Sequence, residues 1–480
     1  MRELTLKINL PIIATAFAFM IGSVATSAHA DSASPLVEKL YQQIIQPNPN
    51  PAKIAESLKN QNTIAELRVL ASKGDKRAQY VLGIAYERGE GVPQDYTQAI
   101  TWDQKAVAQG FAYAQVSLGF MYAHGHGVPQ DYAQALALFQ KAAAQGDANG
   151  QVSLGFMYAY GHGVPQDYAQ ALALFQKAAA QGNANGQVSL GFMYAYGHGV
   201  PQDYAQALAL FQKAAAQGYA NGQVSLGFMY AYGHGVPQDF AQALAWYRKA
   251  AAQGYASGQV NLGFMYAHGH GVPQDYAQAF AWYQKAAMQG DYYAQVKLGT
   301  MYYRGQGVPQ DYAQAFAWYQ KAAAQGYAYG QDILGFMYAY GHGVPQDYAQ
   351  ALTWYRKAAA QGYAAAQNEL GFIYAGGLCL PRDYAQAFAW YQKAAVQGYA
   401  AAQFNLGVMY VEGLGVPQDD IVAYALFNIA AAQGNADAKS HMHKIENKMN
   451  KASLAKGQGL AEKMQSIGIL PAIDLYKRSR

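Results

Sequence analysis

Histidines recur at a fixed spacing in the sequence and are the first residues that could do chemistry. Six are separated by multiples of 36 residues, and two of these follow another histidine by two positions, His124 and His268. Imidazole is a common metal ligand, so one hypothesis is a metal-binding array. Stacked helices lie about 8–10 Å apart, whereas zinc ligands lie about 2 Å from the metal. Exposed loop histidines are therefore the favoured interpretation, and no metal site or cofactor is predicted. The six are His126, His162, His198, His234, His270 and His342.

Two further patterns could support a nucleophile. Residues Ser453 to Lys456 match the S-x-x-K motif, in which serine is the nucleophile of acyl transfer, but no S-D-N or K-T-G motif accompanies them. Cys379 is the only cysteine, and no pattern of His and Asp surrounds it. It replaces a glycine of the repeat described below and is expected to mark a strained or remodelled turn. No catalytic residue is predicted.

Composition excludes several classes of protein. The chain has 480 residues, more than one ordinary globular core holds. A hydrophobic content of 52% argues against disorder. A net charge of +4 without a basic run in the body of the chain gives no reason to expect a nucleic-acid partner.

The first thirty residues resemble a secretory signal peptide. Arg2 and Lys7 precede an apolar stretch, and Ala28-His29-Ala30 fits an A-x-A cleavage site. Cleavage is predicted after Ala30. No later stretch has 18 consecutive apolar residues, so no stable membrane insertion of the mature chain is expected. The predicted location is periplasmic or secreted.

The elements that must position these side chains come from an internal repeat. Ten prolines lie 36 residues apart without insertion or deletion, and periods of this length indicate solenoids. They are Pro93, Pro129, Pro165, Pro201, Pro237, Pro273, Pro309, Pro345, Pro381 and Pro417.

Each repeat reads as a helical hairpin. Around Pro201, Leu190 and Tyr194 share one helical face, and Gly197 then ends the first helix. Asp203 is a good N-cap, and Gln206 three residues later predicts a capping box for the second helix. One hairpin cannot bury both of its apolar faces, whereas stacked hairpins can.

The repeat pattern resembles the Sel-1-like repeat, a relative of the tetratricopeptide repeat. The pattern is A-x-x-x-L-G-x-x-Y-x-x-G-x-G-V-x-x-D-x-x-x-A-x-x-W-Y-x-K-A-A-x-Q-G, and residues 294–326 meet every fixed position. The resemblance implies an all-α fold, a right-handed α/α superhelical solenoid of about ten hairpins. Departures are local, such as glycine in place of the first alanine at Gly150.

The predicted organisation has four parts. Residues 1–30 are the signal peptide, 31–76 an N-terminal linker with capping helices, 77–434 the ten repeats and 435–480 capping helices. Within the linker, residues 31–51 are expected to be loosely ordered, and residues 54–74 to form one or two helices. The C-terminal helices are expected over 436–450 and 453–467.

Near-identity of the repeats favours binding over catalysis. An enzyme site needs different residues that converge at one place, whereas repeats two to five multiply one surface. The predicted function is a non-enzymatic scaffold or adaptor that binds a protein or peptide in the concave groove, and the family resemblance implies such roles. The alternative is a β-lactamase-like or other cell-wall-directed hydrolase, since some exported relatives are described in that way.

Two columns of side chains are predicted to face this groove, because the first helix of each hairpin lines the concave face in tetratricopeptide-like folds. For the phenylalanine column, which includes Phe156, Phe192 and Phe228, core packing is the favoured interpretation. Exposure is favoured for the second column, because its residue types vary between repeats. Asn149, Asn185, Asn221 and Ser257 are expected to offer hydrogen bonds along the same rim. The second column reads Arg88, His124, Tyr160, Tyr196, Tyr232, His268, Arg304 and Tyr340.

Overall fold

The computed structural model describes residues 34–44 and 51–479. The predicted signal peptide and its cleavage after Ala30 lie outside the described residues. All 26 elements in the described part are helices, and no strand occurs there. None of these helices is both long and apolar enough to cross a membrane.

The chain divides into two compact units, one up to Asp275 and one from Tyr276. The first unit contains α1 (Pro35–Ile44), α2 (Pro51–Lys59), α3 (Gln61–Ser72), α4 (Lys76–Arg88), α5 (Tyr96–Ala108), α6 (Ala112–His124), α7 (Tyr132–Ala144), α8 (Ala148–Tyr160), α9 (Tyr168–Ala180), α10 (Ala184–Tyr196), α11 (Tyr204–Ala216), α12 (Ala220–Tyr232), α13 (Phe240–Ala252) and α14 (Ala256–His268).

The second unit contains α15 (Tyr276–Met288), α16 (Tyr292–Arg304), α17 (Tyr312–Ala324), α18 (Ala328–Tyr340), α19 (Tyr348–Ala360), α20 (Ala364–Gly376), α21 (Tyr384–Val396), α22 (Ala400–Glu412), α23 (Asp420–Ala432), α24 (Ala436–Glu446), α25 (Lys451–Ile467) and α26 (Ile469–Arg478). Within each unit a first helix packs against the second helix of its own hairpin, and that second helix packs against the next first helix. The prediction of an all-α solenoid of helical hairpins is confirmed.

Each hairpin turns where the sequence predicts. Gly197 adopts a left-handed φ of 70° after α10, and its N–H donates to the carbonyl of Met193. The Asp203 carboxylate accepts from the N–H groups of Ala205 and Gln206 at the start of α11. The predicted capping box is wrong in one respect, because the Gln206 side chain donates to the Asp203 carboxylate, 3.3 Å away. The Asp203 N–H is already occupied, since it donates to the Tyr194 carbonyl.

Inside each hairpin a glycine of the first helix faces a ring of the second. A Cβ atom added at Gly191 would lie 2.5 Å from Cε1 of Phe211, which is 1% exposed. Only glycine therefore allows the two helices to approach this closely. The same pairing joins Gly119 to Phe139, Gly155 to Phe175, Gly227 to Tyr247, Gly299 to Tyr319, Gly335 to Tyr355, Gly371 to Tyr391 and Gly407 to Phe427.

In the first hairpin a carboxyl takes the place of this ring. Asp103 faces Gly83, is fully buried, and has no hydrogen-bond partner on either oxygen. The Ser117 hydroxyl lies nearby without a well-aligned hydrogen bond to it. Burial raises the pKa of Asp103 well above its usual range, and the Glu87 carboxylate raises this pKa further.

Glutamines join the end of the second helix to the start of the first helix within a hairpin, a feature that the sequence analysis missed. Gln217 donates to Oε1 of Gln187 at 2.9 Å and to the Gly182 carbonyl at 3.0 Å. Gln187 is only 5% exposed, so this bond satisfies a buried amide. Equivalent bonds run from Gln109 to Gln79, Gln145 to Gln115, Gln181 to Gln151, Gln253 to Gln223, Gln325 to Gln295, Gln361 to Gln331, Gln397 to Gln367 and Gln433 to Gln403.

The two ends contain more helix than the sequence predicts. The expectation of loose order over residues 31–51 is wrong for α1, because Val37, Leu40 and Ile44 are at most 1% exposed in the N-terminal core. Two starting helices, α2 and α3, agree with the prediction for residues 54–74. At the other end α26 follows the two predicted helices and buries Ile473.

Candidate partner-binding surface

The variable column of the sequence analysis occupies the last residue of each first helix. Tyr160, Tyr196 and Tyr340 are 36%, 40% and 52% exposed. His124, His268 and Arg304 are also exposed, whereas Arg88 and Tyr232 are half-buried. The structure thus places most of this column where solvent reaches it, and its binding role stays a prediction.

The loop histidines stack on aromatic rings. His162 lies against Tyr132 of the preceding hairpin, with ring centroids 4.6 Å apart and planes 5° apart, and its centroid lies 5.8 Å from that of Tyr160. We call the series of such contacts, from Phe156 through Tyr160 and His162 to Tyr132 and its equivalents, the aromatic ladder. His234, His270 and His342 stack in the same way, whereas the rings of His126 and His198 are tilted by 32° and 31° against their partners.

The expectation of exposed loop histidines is therefore wrong for five of the six. His162, His198, His234, His270 and His342 are half-buried, because the loop glycine beside each brings the backbone against the preceding hairpin. Burial lowers the pKa of His162 and that of His270, and the neighbouring His268 lowers the pKa of His270 further. In the described part of the chain, no three His, Cys, Asp or Glu side chains converge on a point that could hold a metal ion.

The phenylalanine column packs inside its own hairpins. Phe156 is 5% exposed and its ring lies 5.1 Å from that of Phe175 on the second helix. Phe192 and Phe228 are half-buried, and Phe192 meets Phe211 edge-on at 5.2 Å. These residues fit the interpretation that the phenylalanine column is part of the core. The ring contacts described here join the two helices of one hairpin rather than successive first helices.

The expected asparagine rim is wrong. Asn149, Asn185 and Asn221 are 4%, 7% and 4% exposed, and so are not available to a groove partner. They are covered because the first turn of each first helix packs closely on the preceding second helix. A Cβ at Gly150 would lie 2.6 Å from that of Ala142. Asn149 instead accepts a hydrogen bond from Asn183 of the next hairpin, at 3.0 Å.

The second unit carries a pair of carboxyls that sequence reasoning missed. Asp332 replaces the valine and Glu369 the serine of the common repeat, and departure from the repeat is the signal that could have found them. Burial, and then the charge of Glu369, raise the pKa of Asp332 to about 7. Asn368 donates to Glu369 at 3.1 Å, and Asn405 donates to Asn368 at 2.9 Å.

The candidate nucleophiles have ordinary surroundings. Ser453 lies in the first turn of α25, where its N–H donates to the Asn450 side chain, and Lys456 is exposed. The Cys379 thiol donates to the Tyr348 carbonyl at 3.4 Å, and burial raises its pKa, which disfavours the reactive thiolate. The turn at Cys379 is remodelled as expected, because this residue lacks the positive φ of the glycines it replaces.

A known protein family matches the chain repeat by repeat, over the same segments that form the helical hairpins. Ten Sel1 repeats match residues 76–111, 112–147, 148–183, 184–219, 220–255, 256–291, 293–327, 328–363, 364–399 and 400–435. The chain belongs to the Sel1 repeat family. Sel1 repeat proteins are protein-interaction scaffolds. No curated protein gives a significant match.

Solved Sel1 structures are similar in sequence over most of the chain. A protective antigen of uropathogenic Escherichia coli strains that displays an SLR fold is 35% identical, with a TM-score of 0.42. The match covers 87% of this chain and 97% of that one. A Sel1 repeat protein from Oxalobacter formigenes is 33% identical over 75% of this chain and 99% of that one, with a TM-score of 0.45.

Proposed function

We propose that this Sel1 repeat protein is an exported, non-enzymatic scaffold that binds a protein or peptide along the ends of its first helices. The observation that supports this most is the column of exposed side chains, above all Tyr160, Tyr196 and Tyr340. Tyrosine and arginine are enriched among residues that dominate binding energy at interfaces. Their repetition along a unit suits an extended partner or several linked sites.

Export to the periplasm or the cell exterior is part of the same proposal. It rests on the basic, apolar and A-x-A segments of residues 1–30. The cell-wall hydrolase has no comparable support, since Ser453 lies in a capping helix whose local contacts are those of an N-terminal helix turn. Nitrocefin turnover abolished by Ser453→Ala would establish the hydrolase instead.

Affinity capture tests the scaffold. The mature chain from Asp31 is used as bait on envelope and culture fractions of the producing cell, beside a Tyr196→Ala variant. We expect a specific protein whose capture falls with this variant, while helicity and melting temperature stay nearly unchanged because the ring is 40% exposed. Gln206→Ala, an exposed change on a second helix, is the control and should not reduce capture. Capture that is equal for all three chains would contradict the proposed surface.

A further inference from the structure

The aromatic ladder is interrupted in the ninth hairpin. In every other hairpin that has this phenylalanine, a Tyr or His ring at the end of the first helix lies beside it, as Tyr340 lies beside Phe336 with centroids 4.6 Å apart. In the ninth hairpin Gly376 stands at the tyrosine position and Leu378 at the histidine position. Phe372 is consequently 47% exposed, and Leu378 is 36% exposed. The interruption leaves exposed an apolar surface that the other phenylalanine-containing hairpins cover with a ring of their own.

Two carboxyls of the same unit accompany this surface. Glu369 precedes Phe372 by three residues on α20, so the two side chains share a helical face. Asp332 of α18 is close enough that the Glu369 charge raises its pKa, and Oδ1 of Asp332 is buried without a hydrogen-bond partner. Neither carboxyl forms an ion pair within the described residues.

Several tyrosines lie within electrostatic range of Glu369. The Glu369 charge raises the pKa of Tyr340, Tyr391 and Tyr399 alongside the larger effect of burial. A half-buried carboxylate without a counter-charge is unfavourable, and an added cation removes that penalty. The site therefore combines the exposed Phe372 ring and Leu378 side chain with two carboxyls that form no ion pair in the part of the chain that the structure describes.

We propose that the ninth hairpin binds an extended protein segment in which an aromatic or large aliphatic side chain is adjacent to arginine or lysine. The apolar side chain packs on Phe372 beside Leu378 and completes the aromatic ladder. The cationic side chain lies against Glu369 and Asp332. This inference rests on the proposed scaffold function, and it adds the position and the chemistry of one binding site. Arginine suits the site best, because its guanidinium both stacks on rings and pairs with carboxylates.

Peptide binding tests the inference directly. Fluorescein-labelled peptides carry Trp-Arg, Trp-Glu or Ala-Arg between Gly-Ser spacers, and their affinity for the mature chain is measured by fluorescence anisotropy. We expect the Trp-Arg peptide to bind, and each of the other two to bind at least about tenfold more weakly, equivalent to about 1.4 kcal/mol. Protection of the exposed Cys379 thiol from a thiol reagent reports whether the bound peptide lies at this hairpin.

Three variants assign the binding to these side chains. Phe372→Ala removes the ring, and Glu369→Gln removes the charge without a change of shape. Gly376→Tyr restores the ring that other hairpins possess and should cover Phe372; its Cβ would lie 3.1 Å from the exposed Leu378 side chain, which can shift. Each variant should weaken Trp-Arg binding at least about tenfold, with unchanged circular dichroism. Tyr196→Ala, in the other unit, is the matched control and should bind normally.

Several results would overturn the inference. These are no binding of the Trp-Arg peptide, equal binding of the Trp-Glu peptide, full binding by Gly376→Tyr, or equal loss in the Tyr196→Ala control. Sedimentation that shows a dimer dissociated by Phe372→Ala would assign the surface to a second copy of the chain instead. If these tests fail while Tyr196-dependent capture persists, the scaffold function stands and only this site is wrong. If no partner is captured but the Trp-Arg peptide binds as expected, the peptide-binding site at the ninth hairpin stands and the proposed surface along the first-helix ends is wrong.

Discussion

The close approach of the two helices in each hairpin predicts that Gly191 cannot be enlarged. A Cβ there would lie 2.5 Å from Cε1 and 2.9 Å from Cδ1 of Phe211, and that ring is fully enclosed. Leucine at this position adds further carbon atoms in the same direction. Overpacking of this kind costs about 1–3 kcal/mol. Gly191→Leu should therefore destabilise the hairpin although leucine is the better helix former.

A second helical glycine supplies the matched control. A Cβ at Gly459 in α25 would meet nothing within 4 Å. Helix propensity alone should act there, and replacement of glycine by leucine should stabilise the chain by about 0.5–1 kcal/mol. The same substitution is thus expected to lower the stability at one helical position and to raise it at the other. The difference between the two stability changes isolates the contact with Phe211.

Hydrogen exchange read by mass spectrometry measures the effect where it arises, because repeat proteins can open locally. Gly191→Leu should increase exchange in α10 and α11, and urea denaturation should show a lower midpoint. The double variant Gly191→Leu/Phe211→Ala should be less unstable than the sum of the two single changes, since the smaller side chain leaves room. Unchanged exchange in these helices, or strict additivity, would refute the packing argument.

Three other perturbations have defined outcomes. Because its folded-state pKa is raised above the usual value of about 3.9, protonated Asp103 stabilises the fold at low pH, and this contribution is lost as pH rises from about 4 toward the folded pKa. Asp103→Phe introduces the residue type of later repeats, and it should remove this pH dependence in urea titrations and stabilise the chain at pH 7. If the stability of the variant and of the original chain changed in parallel with pH, the prediction would be contradicted. Gln217→Ala leaves the buried Gln187 amide oxygen unpaired and should cost about 1–3 kcal/mol, whereas the exposed Gln206→Ala should cost less. Equal losses for the two would argue against the glutamine bonds. Asp332→Asn should stabilise the second unit at pH 8 more than at pH 5, because the pKa of Asp332 is about 7; a pH-independent gain would show that its charge is already compensated.

The sequence repeat was sufficient to predict the hairpins, because the residues that begin and end each helix act on their own stretch of backbone. Gly197 and Asp203 end and begin helices through their own backbone and carboxylate, whatever the neighbouring repeat does. The role of Gly191 was also predictable, since glycine is unfavourable inside a helix and yet recurs at this position of the repeat, which indicates close approach of another helix. These features need no knowledge of distant residues.

Contacts between residues that are far apart in the chain could not be read in the same way. Asn149 is polar and was placed on an open rim, yet it is buried because the preceding second helix covers it. The bond between Gln217 and Gln187 joins residues 30 positions apart, and nothing in either residue's own helix indicates it. The stacking of His162 on Tyr132 likewise depends on how one loop meets the previous hairpin.

Departures from the repeat were more informative than the repeat itself. Asp103 stands where the other hairpins have a Phe or Tyr ring, and Asp332 stands where most have valine. Gly376 leaves the variable column without a side chain. Each changes the local environment in the structure. Near-identical repeats supply the scaffold, and the exceptions distinguish one hairpin from the next. A search for partner specificity should start from such positions.

Site-specific photo-crosslinking in the producing cell tests the central claim most directly. A photoreactive amino acid replaces Tyr196 or Tyr340 on the first-helix column, or Gln206 on an exposed second helix as the control. The scaffold account predicts discrete adducts with another protein from the two tyrosine positions and none from the control. Adducts from Gln206 alone, or from none of the three positions, would contradict partner binding along the first-helix ends.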